Sequence, residues 1–248
     1  MNFSNILITR PLNKSKSLSN LLKQLGFKIV CLPMIEIIQY PINIINQQLN
    51  KLVLPDSIIF ISANACENLN NQLGEILKKN NIIVASIGNA TTTKLNKNNI
   101  NVDITPPHSN SEALLSMEYF QHCQNKNIWI IRGTTGRELL AQTLKKRGAN
   151  THYINVYRRQ YPQYNIDELN DALTKQPIHL TLGTSNEIIT NLVNVIKKVD
   201  ASYLYDIPLL VASHRNKTHA NSLGFSEVFV SASASNDDLT KSIDKILG

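Results

Sequence analysis

Short runs of apolar residues alternate along this chain with longer stretches in which leucine and isoleucine recur every three or four positions. These are the periods of buried strands and of helices that cover one face of a sheet. Residues 127–159 carry the plan in full. Ile128, Trp129, Ile130 and Ile131 read as a buried strand, a Gly-rich turn follows, and Leu139, Leu140 and Leu144 line one side of a helix. Gly148 stops that helix, and a second strand ends in Val156 and Tyr157. The turn 132–138 joins strand to helix, where free N–H groups and the positive end of the helix dipole suit an anion. Thr135 and Glu138 have capping-box spacing, which starts the helix there and sets Arg137 in its first turn, its charge opposed to the dipole.

The same β-α-β plan opens the chain. Residues 5–9 form a strand, Leu18, Leu21, Leu22 and Leu25 a helical face, Gly26 a stop and residues 27–32 a strand. Residues 33–41 are extended and apolar between two prolines and are read as a connector. Ile44, Ile45, Leu49, Leu52 and Val53 make the next helical face, and Leu69, Leu73, Ile76 and Leu77 another, on either side of a strand at 57–61. A strand at 82–87 leads to a short helix ended by Asn98-Asn99, residues that tolerate the left-handed cap conformation. Residues 102–105 read as a strand, and Ser109 with Glu112 opens a helix. Beyond residue 160, a helix at 166–173 is followed by strands at 178–182, 208–212 and 228–231, each running into small polar residues and a helix; Thr184 with Glu187 again has capping-box spacing.

Strand and helix alternating on this scale define an α/β protein with doubly wound parallel sheets. Stretches beginning at residues 5 and 127, 57 and 177, 82 and 207, and 102 and 227 resemble each other, at offsets of 122, 120, 125 and 125 residues. So constant an offset divides the chain into two similar domains rather than one.

Composition narrows the function classes. With 248 residues and 42% hydrophobic content the chain can bury a substantial core. No apolar run approaches the roughly 18 residues of a membrane span, and the first eleven residues lack the basic and apolar regions of a signal peptide. Cys31, Cys66 and Cys123 are far apart and outside any C-x-x-C, which points to a reducing, cytoplasmic setting without disulfides or zinc. The net charge of +7 admits nucleic acid, an anionic membrane surface or a polyanionic small molecule as partner. Aromatic residues make up 6% and are not interleaved with basic ones, which argues against nucleic acid, and the lysine pairs read as solvated helix faces. None of the six histidines has metal-ligand spacing. G-x-S-x-G, H-E-x-x-H and the Walker loop are absent, and Gly133-x-x-Gly136 is too short to mean a dinucleotide site.

Parallel sheets bind ligands at the carboxyl ends of their strands, and that is where the polar clusters fall. They include Thr9-Arg10, Ser62-Ala63-Asn64, Gly88-Asn89-Ala90-Thr91, Arg132-Gly133 through Arg137, Thr184-Ser185-Asn186 and Ser213-His214-Arg215. Taken singly, each serine or threonine is most simply a helix cap. Together they describe a broad anion-binding surface of backbone N–H groups, with Ser62, Ala63, Asn89, Thr91, Gly133, Thr184, Ser185 and Ser213 as its candidate residues. Arg10, Arg132, Arg137 and Arg215 are sharper candidates, because a cation at a strand end or in a helix's first turn gains nothing from the dipole. Tyr157 is either a packing aromatic with its hydroxyl on the rim or a weak general acid, protonated at neutral pH with a pKa near 10.

The ordered set LITRP, IFISANA, SIGNAT, RGTTGRELL with its trailing KKRGA, VYRR, GTSNE and VASHR resembles the uroporphyrinogen-III synthase family over essentially the whole chain. The resemblance implies two Rossmann-like (flavodoxin-like) domains joined by a two-stranded linker, with the cleft between them as active site. The domains would be residues 1–34 with 164–248, and 41–155, linked by 35–40 and 156–163. It further implies a monomeric, cofactor-free, cytoplasmic enzyme of tetrapyrrole (haem) biosynthesis that binds no nucleic acid or membrane. Such an enzyme cyclises the polycarboxylate hydroxymethylbilane to uroporphyrinogen III, losing water and inverting ring D. Tyr157 matches the family's candidate acid. The alternative is a non-catalytic two-domain protein that binds a polyanionic metabolite. The chain departs from the family pattern at Ser213-His214, at Gly183 in place of an apolar strand residue, and at Asn98-Asn99 in place of a helix-ending glycine.

Overall fold

The computed structural model describes residues 4–67, 71–79 and 81–248; Leu69, expected on a helix face, lies outside them. The chain divides into two compact units, Met1–Glu36 with Gln160–Gly248, and Ile37–Arg159. It begins with β1 (Asn5–Ile8), α1 (Leu12–Gln24) and β2 (Lys28–Cys31), then enters a second sheet through β3 (Glu36–Gln39), α2 (Ile42–Leu49) and β4 (Ser57–Phe60). α3 (Asn71–Lys79), β5 (Ile83–Ser86), α4 (Asn89–Lys97), α5 (Ser111–Leu115) and α6 (Glu118–Gln121) follow. The second sheet is completed by β6 (Asn127–Gly133), α7 (Leu139–Lys146) and β7 (Asn150–Gln160). The chain then returns through α8 (Ile166–Thr174), β8 (Leu180–Gly183), α9 (Asn186–Lys198), β9 (Leu209–Val211), α10 (His214–Ser222), β10 (Val228–Val230) and α11 (Asn236–Leu247).

One sheet has the order β10-β9-β8-β1-β2, the other β3-β7-β6-β4-β5. The repeat seen in the sequence reappears in this order. β1, β2, β8 and β9 correspond to β6, β7, β4 and β5, and Ile104, bridging Ala85 in parallel, stands where β10 stands in the other unit. Among the described residues β3 has no counterpart.

Parallel strands covered by helices on both faces carry near-continuous apolar runs, and residues 58–60 of β4 and 128–131 of β6 supply them. Ile58, Phe60, Trp129 and Ile131 face one side, packed with Ile45 and Leu49 of α2, Leu73 of α3 and Leu95 of α4. Ile59, Ile128 and Ile130 face the other, against Leu114 and Leu115 of α5, Phe120 of α6, and Leu140 and Leu144 of α7. Burying each such side chain stabilises the unit by about 1.5–3 kcal/mol. In the other unit, Ile6, Ile8, Leu180, Leu182 and Leu210 meet Leu18 and Leu22 of α1 and Leu239 and Ile243 of α11.

Several local expectations are corrected. α1 buries Ser15, Leu18, Ser19 and Leu22, while Leu21 and Leu25 are 38% and 54% exposed; small serines let the helix sit close to the sheet, so the buried stripe runs three positions back from the leucine pattern. Residues 33–41 are not only a connector, because 36–39 form edge strand β3 beside β7, and Tyr40 donates its N–H to Val156 O. Residues 102–105 make a single bridge rather than a strand. The helix caps shift by one residue, from Ser109 to Asn110 and from Thr184 to Ser185, since in each case the extended residue is the one whose side chain reaches the N3 amide. α7 starts at Leu139, and neither Thr135 nor Glu138 caps it, so Arg137 precedes the helix instead of lying in its first turn. A capping box does form on α8, between Asn165 and Glu168. Asn99 (φ 57°) and Gly148 (φ 83°) adopt the left-handed conformation at their helix ends, as expected.

Candidate active site

In the second unit the carboxyl ends of β4, β6 and β7 converge on Tyr157. Between Arg132 and Gly133 the β6–β7 register slips, so that Arg132 pairs with Asn155 but Gly133 pairs with Tyr157. The extra residue is a β-bulge, and it reverses the side-chain alternation beyond it. Tyr153 therefore packs on one face of the sheet, while Tyr157, four residues on, joins Ile154 and Val156 on the other. Its ring is 3% exposed, and its hydroxyl lies 3.1 Å from Ser62 Oγ. Ser62 in turn caps the 3₁₀ turn Ala63–Cys66, accepting the Ala65 N–H at 3.2 Å. Gly133 makes room for this ring: a Cβ there would stand 2.6 Å from Tyr157 Cε2.

Arg132, also at the bulge, is 2% exposed. Its Nε donates to Gly133 O at 3.0 Å and its Nη1 to Glu138 Oε1 at 2.9 Å, and its guanidinium lies 4.3 Å from the centre of the Tyr153 ring. The Tyr153 hydroxyl donates to the second Glu138 oxygen at 2.5 Å. Those two donors, Tyr153 first, hold the Glu138 carboxyl below its ordinary range. Burial, reinforced by Glu138, pushes the Tyr153 phenol up to about 12. Arg137 is exposed and pairs with Glu112 at 3.6 Å. A cavity of about 170 Å³ opens beside this group, lined by Ile61, Ile87, Ser111, Ile130, Arg132, Arg137, Leu140 and Tyr153.

At β5, Gly88 precedes α4, which no side chain caps. The glycine is required by space, since a Cβ would lie 2.0 Å from Ser109 Oγ. Asn89 is exposed on the first turn, whereas Thr91 is buried at 3% and points away from solvent. Beneath them Ser86, Thr92 and Thr105 share a hydroxyl cluster, with Thr92 Oγ1 at 2.6 Å from Ser86 Oγ and 2.7 Å from Thr105 Oγ1.

In the first unit Arg10 is 6% exposed. It meets neutral oxygens, Asn236 Oδ1 at 3.1 Å and Ala234 O at 3.3 Å, and its Nε has no partner among the described residues. Burial lowers its pKa from the usual arginine value. Thr184 is half-buried, and Ser185 and Ser213 cap α9 and α10. Asn216 joins those two helix starts by donating to Asn186 Oδ1 at 2.7 Å. Arg215 is exposed in the first turn of α10. Gly183 is explained by Ile189, whose Cγ1 would be 2.9 Å from a Cβ.

The structure thus brings Ser62, Gly133 and Tyr157 into one contact group and Arg132 and Arg137 around one cavity. Arg10, Thr184, Ser185, Ser213 and Arg215 lie on the other unit's rim. Tyr153 joins the cavity without having been singled out as a site residue; its only signal was an aromatic residue four positions before Tyr157, and the bulge that separates their roles leaves no mark in the sequence.

Fold and site define a two-unit parallel α/β protein with hydroxyls and guanidinium groups at its strand ends. The chain matches the family model described as uroporphyrinogen-III synthase HemD over residues 16–241, and it belongs to that family. Uroporphyrinogen-III synthase of Salmonella typhimurium is 28% identical over 243 residues, covering 96% of this chain and 99% of that protein. The synthase of Proteus mirabilis is 29% identical over 193 residues, covering 76% and 97%. Among solved structures, uroporphyrinogen-III synthetase from Helicobacter pylori shares the fold with a TM-score of 0.67 at 15% identity, covering 98% of this chain and 99% of that one. A mutant uroporphyrinogen III synthase from Thermus thermophilus does so with 0.64 at 13%, covering 98% of each.

Proposed function

We propose that this protein is a uroporphyrinogen-III synthase, cyclising hydroxymethylbilane to uroporphyrinogen III with loss of water and inversion of ring D. The observation that carries the reading is the family match across residues 16–241, supported by relatives of the same name that align over nearly their full length. Chemistry and charge agree with it. A bilane bearing many acetate and propionate groups suits a protein of net charge +7. The bilane closes unaided in water to the wrong isomer, so the enzyme's task is to hold ring D so that it attacks through its substituted carbon, giving a spiro intermediate.

Tyr157 is the proposed acid for departure of the hydroxyl. Its hydroxyl lies 3.1 Å from Ser62 Oγ, and Ser62 is less buried than the tyrosine. A proton passed from Tyr157 to Ser62, as Ser62 gives its own to the leaving oxygen, would deliver the acid from a buried phenol to the rim. Arg10, Ser62, Ala63, Asn89, Thr91, Arg132, Gly133, Arg137, Thr184, Ser185, Ser213 and Arg215 are the proposed substrate-binding residues. The two units are proposed to act as domains connected through residues 35–40 and 156–163, in a cytoplasmic monomer that needs no cofactor. Among the described residues no helix is long and apolar enough to cross a membrane.

The test is the product isomer. Purified protein given hydroxymethylbilane is expected to yield type III product faster than spontaneous closure; type I product alone at the spontaneous rate refutes the reading, and saturable tetrapyrrole binding without turnover would favour the binding-protein alternative.

A further inference from the structure

The cavity beside β6 is divided in chemistry. Four aliphatic side chains supply carbon surface, while Arg132, Arg137, Ser111 and Tyr153 supply polar groups. About 170 Å³ is space for several water molecules, each taking about 30 Å³ in the liquid, which suits a short aliphatic chain ending in a polar group. The polar end is defined by two donors, Arg132 Nη1 and the Tyr153 hydroxyl, and Glu138 spans them, one carboxylate oxygen on each, at 2.9 Å and 2.5 Å.

The two partners of this ion pair are unlike in burial: the Arg132 side chain is 3% exposed, that of Glu138 52%. Taking the carboxylate away from a buried guanidinium already paired with one is unfavourable, so displacing Glu138 from Arg132 favours a replacement anion. Glu138 is under no such constraint. It lies just before α7 without capping it, and half of its side chain is already in water, so releasing it costs little. Arg137 on the same cavity pairs with Glu112 at 3.6 Å, but there both side chains are exposed, at 70% and 57%.

We infer that Arg132 and Tyr153 form a carboxylate slot for one acetate or propionate arm of the tetrapyrrole, and that Glu138 is an internal placeholder which the arm displaces. The arm's methylene groups lie against the aliphatic wall, and its carboxylate takes the two bonds that Glu138 gives up. This inference rests on the substrate class proposed above.

The test is equilibrium binding of uroporphyrin III, followed by porphyrin fluorescence at fixed ionic strength, to the wild type and to Glu138→Gln, Tyr153→Phe and Arg132→Lys. Removing the competing carboxylate, which is half in water, is expected to tighten binding about two- to fivefold. Tyr153→Phe is expected to weaken it a few fold, and Arg132→Lys, which loses the planar fork, by about tenfold or more. If the buried Arg132 variant fails to fold, the other two decide. Glu138→Gln protein that is folded at the assay temperature but binds uroporphyrin III equally or more weakly overturns the slot, as does unaltered affinity in Tyr153→Phe. The two proposals fail separately. Type III product with no gain of affinity in Glu138→Gln removes the slot and leaves the synthase, whereas tightened binding with only type I product removes the synthase and leaves the slot.

Discussion

Replacing Gly133 by alanine would set a methyl carbon 2.6 Å from Cε2 and 2.7 Å from Cζ of Tyr157. Carbon atoms in contact rest at about 3.5–4.0 Å, so the ring has to retreat by about 1 Å. It has little freedom to do so: it is 3% exposed and clustered with Ile131, Ile154 and Val156, and its backbone is fixed where Tyr157 O accepts the Thr134 N–H at 3.0 Å. Overpacking of this kind costs about 1–3 kcal/mol, and at this chain length each kcal/mol lowers Tm by about 2–4 °C. The same displacement stretches the 3.1 Å contact with Ser62, and a misplacement of about 1 Å in a catalytic group can lower turnover by about 10²-fold. Thermal melting and the fraction of type III product read the two effects independently. Tyr157→Leu in the Gly133→Ala background should recover part of the lost stability, since it removes the ring the methyl strikes. A Gly133→Ala protein that melts with the wild type and keeps its type III turnover refutes the reasoning.

The opposite outcome is expected at Gly74, in α3, where a Cβ meets nothing within 4 Å; Gly74→Ala should raise stability by up to about 1 kcal/mol in denaturant melts, and a loss would contradict the open space. Tyr157→Phe should lower kcat, on the order of 10²-fold, more than it raises KM for hydroxymethylbilane. Tyr203→Phe, which loses a 2.5 Å bond to Leu173 O far along the chain, is the control that should keep its turnover. Asn165→Ala removes the capping box of α8 and should cost about 1 kcal/mol, with type III synthesis unaffected. The depressed Glu138 carboxyl contributes stability above its unfolded pKa and loses it as pH falls through the lower folded value. The Tm gap between wild type and Glu138→Gln should therefore be full at neutral pH, begin to shrink only below the ordinary glutamate value of about 4.3 and close below the depressed one; a constant gap would show that Glu138 acts through something other than its charge.

Much of this architecture is local and could be read from the chain. The apolar runs of β4 and β6, Gly148 at the end of α7 and Asn99 after α4 each answer to a short-range rule, because burial on both sheet faces and a positive φ restrict residue type at single positions. The repeat at nearly constant offset is matched by corresponding strand orders in the two sheets. Cap positions were less legible: Ser109 or Asn110, and Thr184 or Ser185, are alike in chemistry, and the choice depends on which residue the incoming strand leaves extended.

The sequence by itself determined the α/β class, the duplication and the strand ends where polar residues collect, since all three follow from periodicity and neighbour chemistry. Tertiary structure alone decided what those residues do. Thr135 and Glu138 have the spacing of a helix cap, yet Glu138 is drawn instead to Arg132 and Tyr153, which reach it from two adjacent strands. Tyr153 and Tyr157 share a strand and an even spacing that would set them on one face. A single extra residue opposite Gly133 sends one to the carboxylate cavity and the other to Ser62, and a bulge is a property of how two strands pair, which neither strand encodes alone.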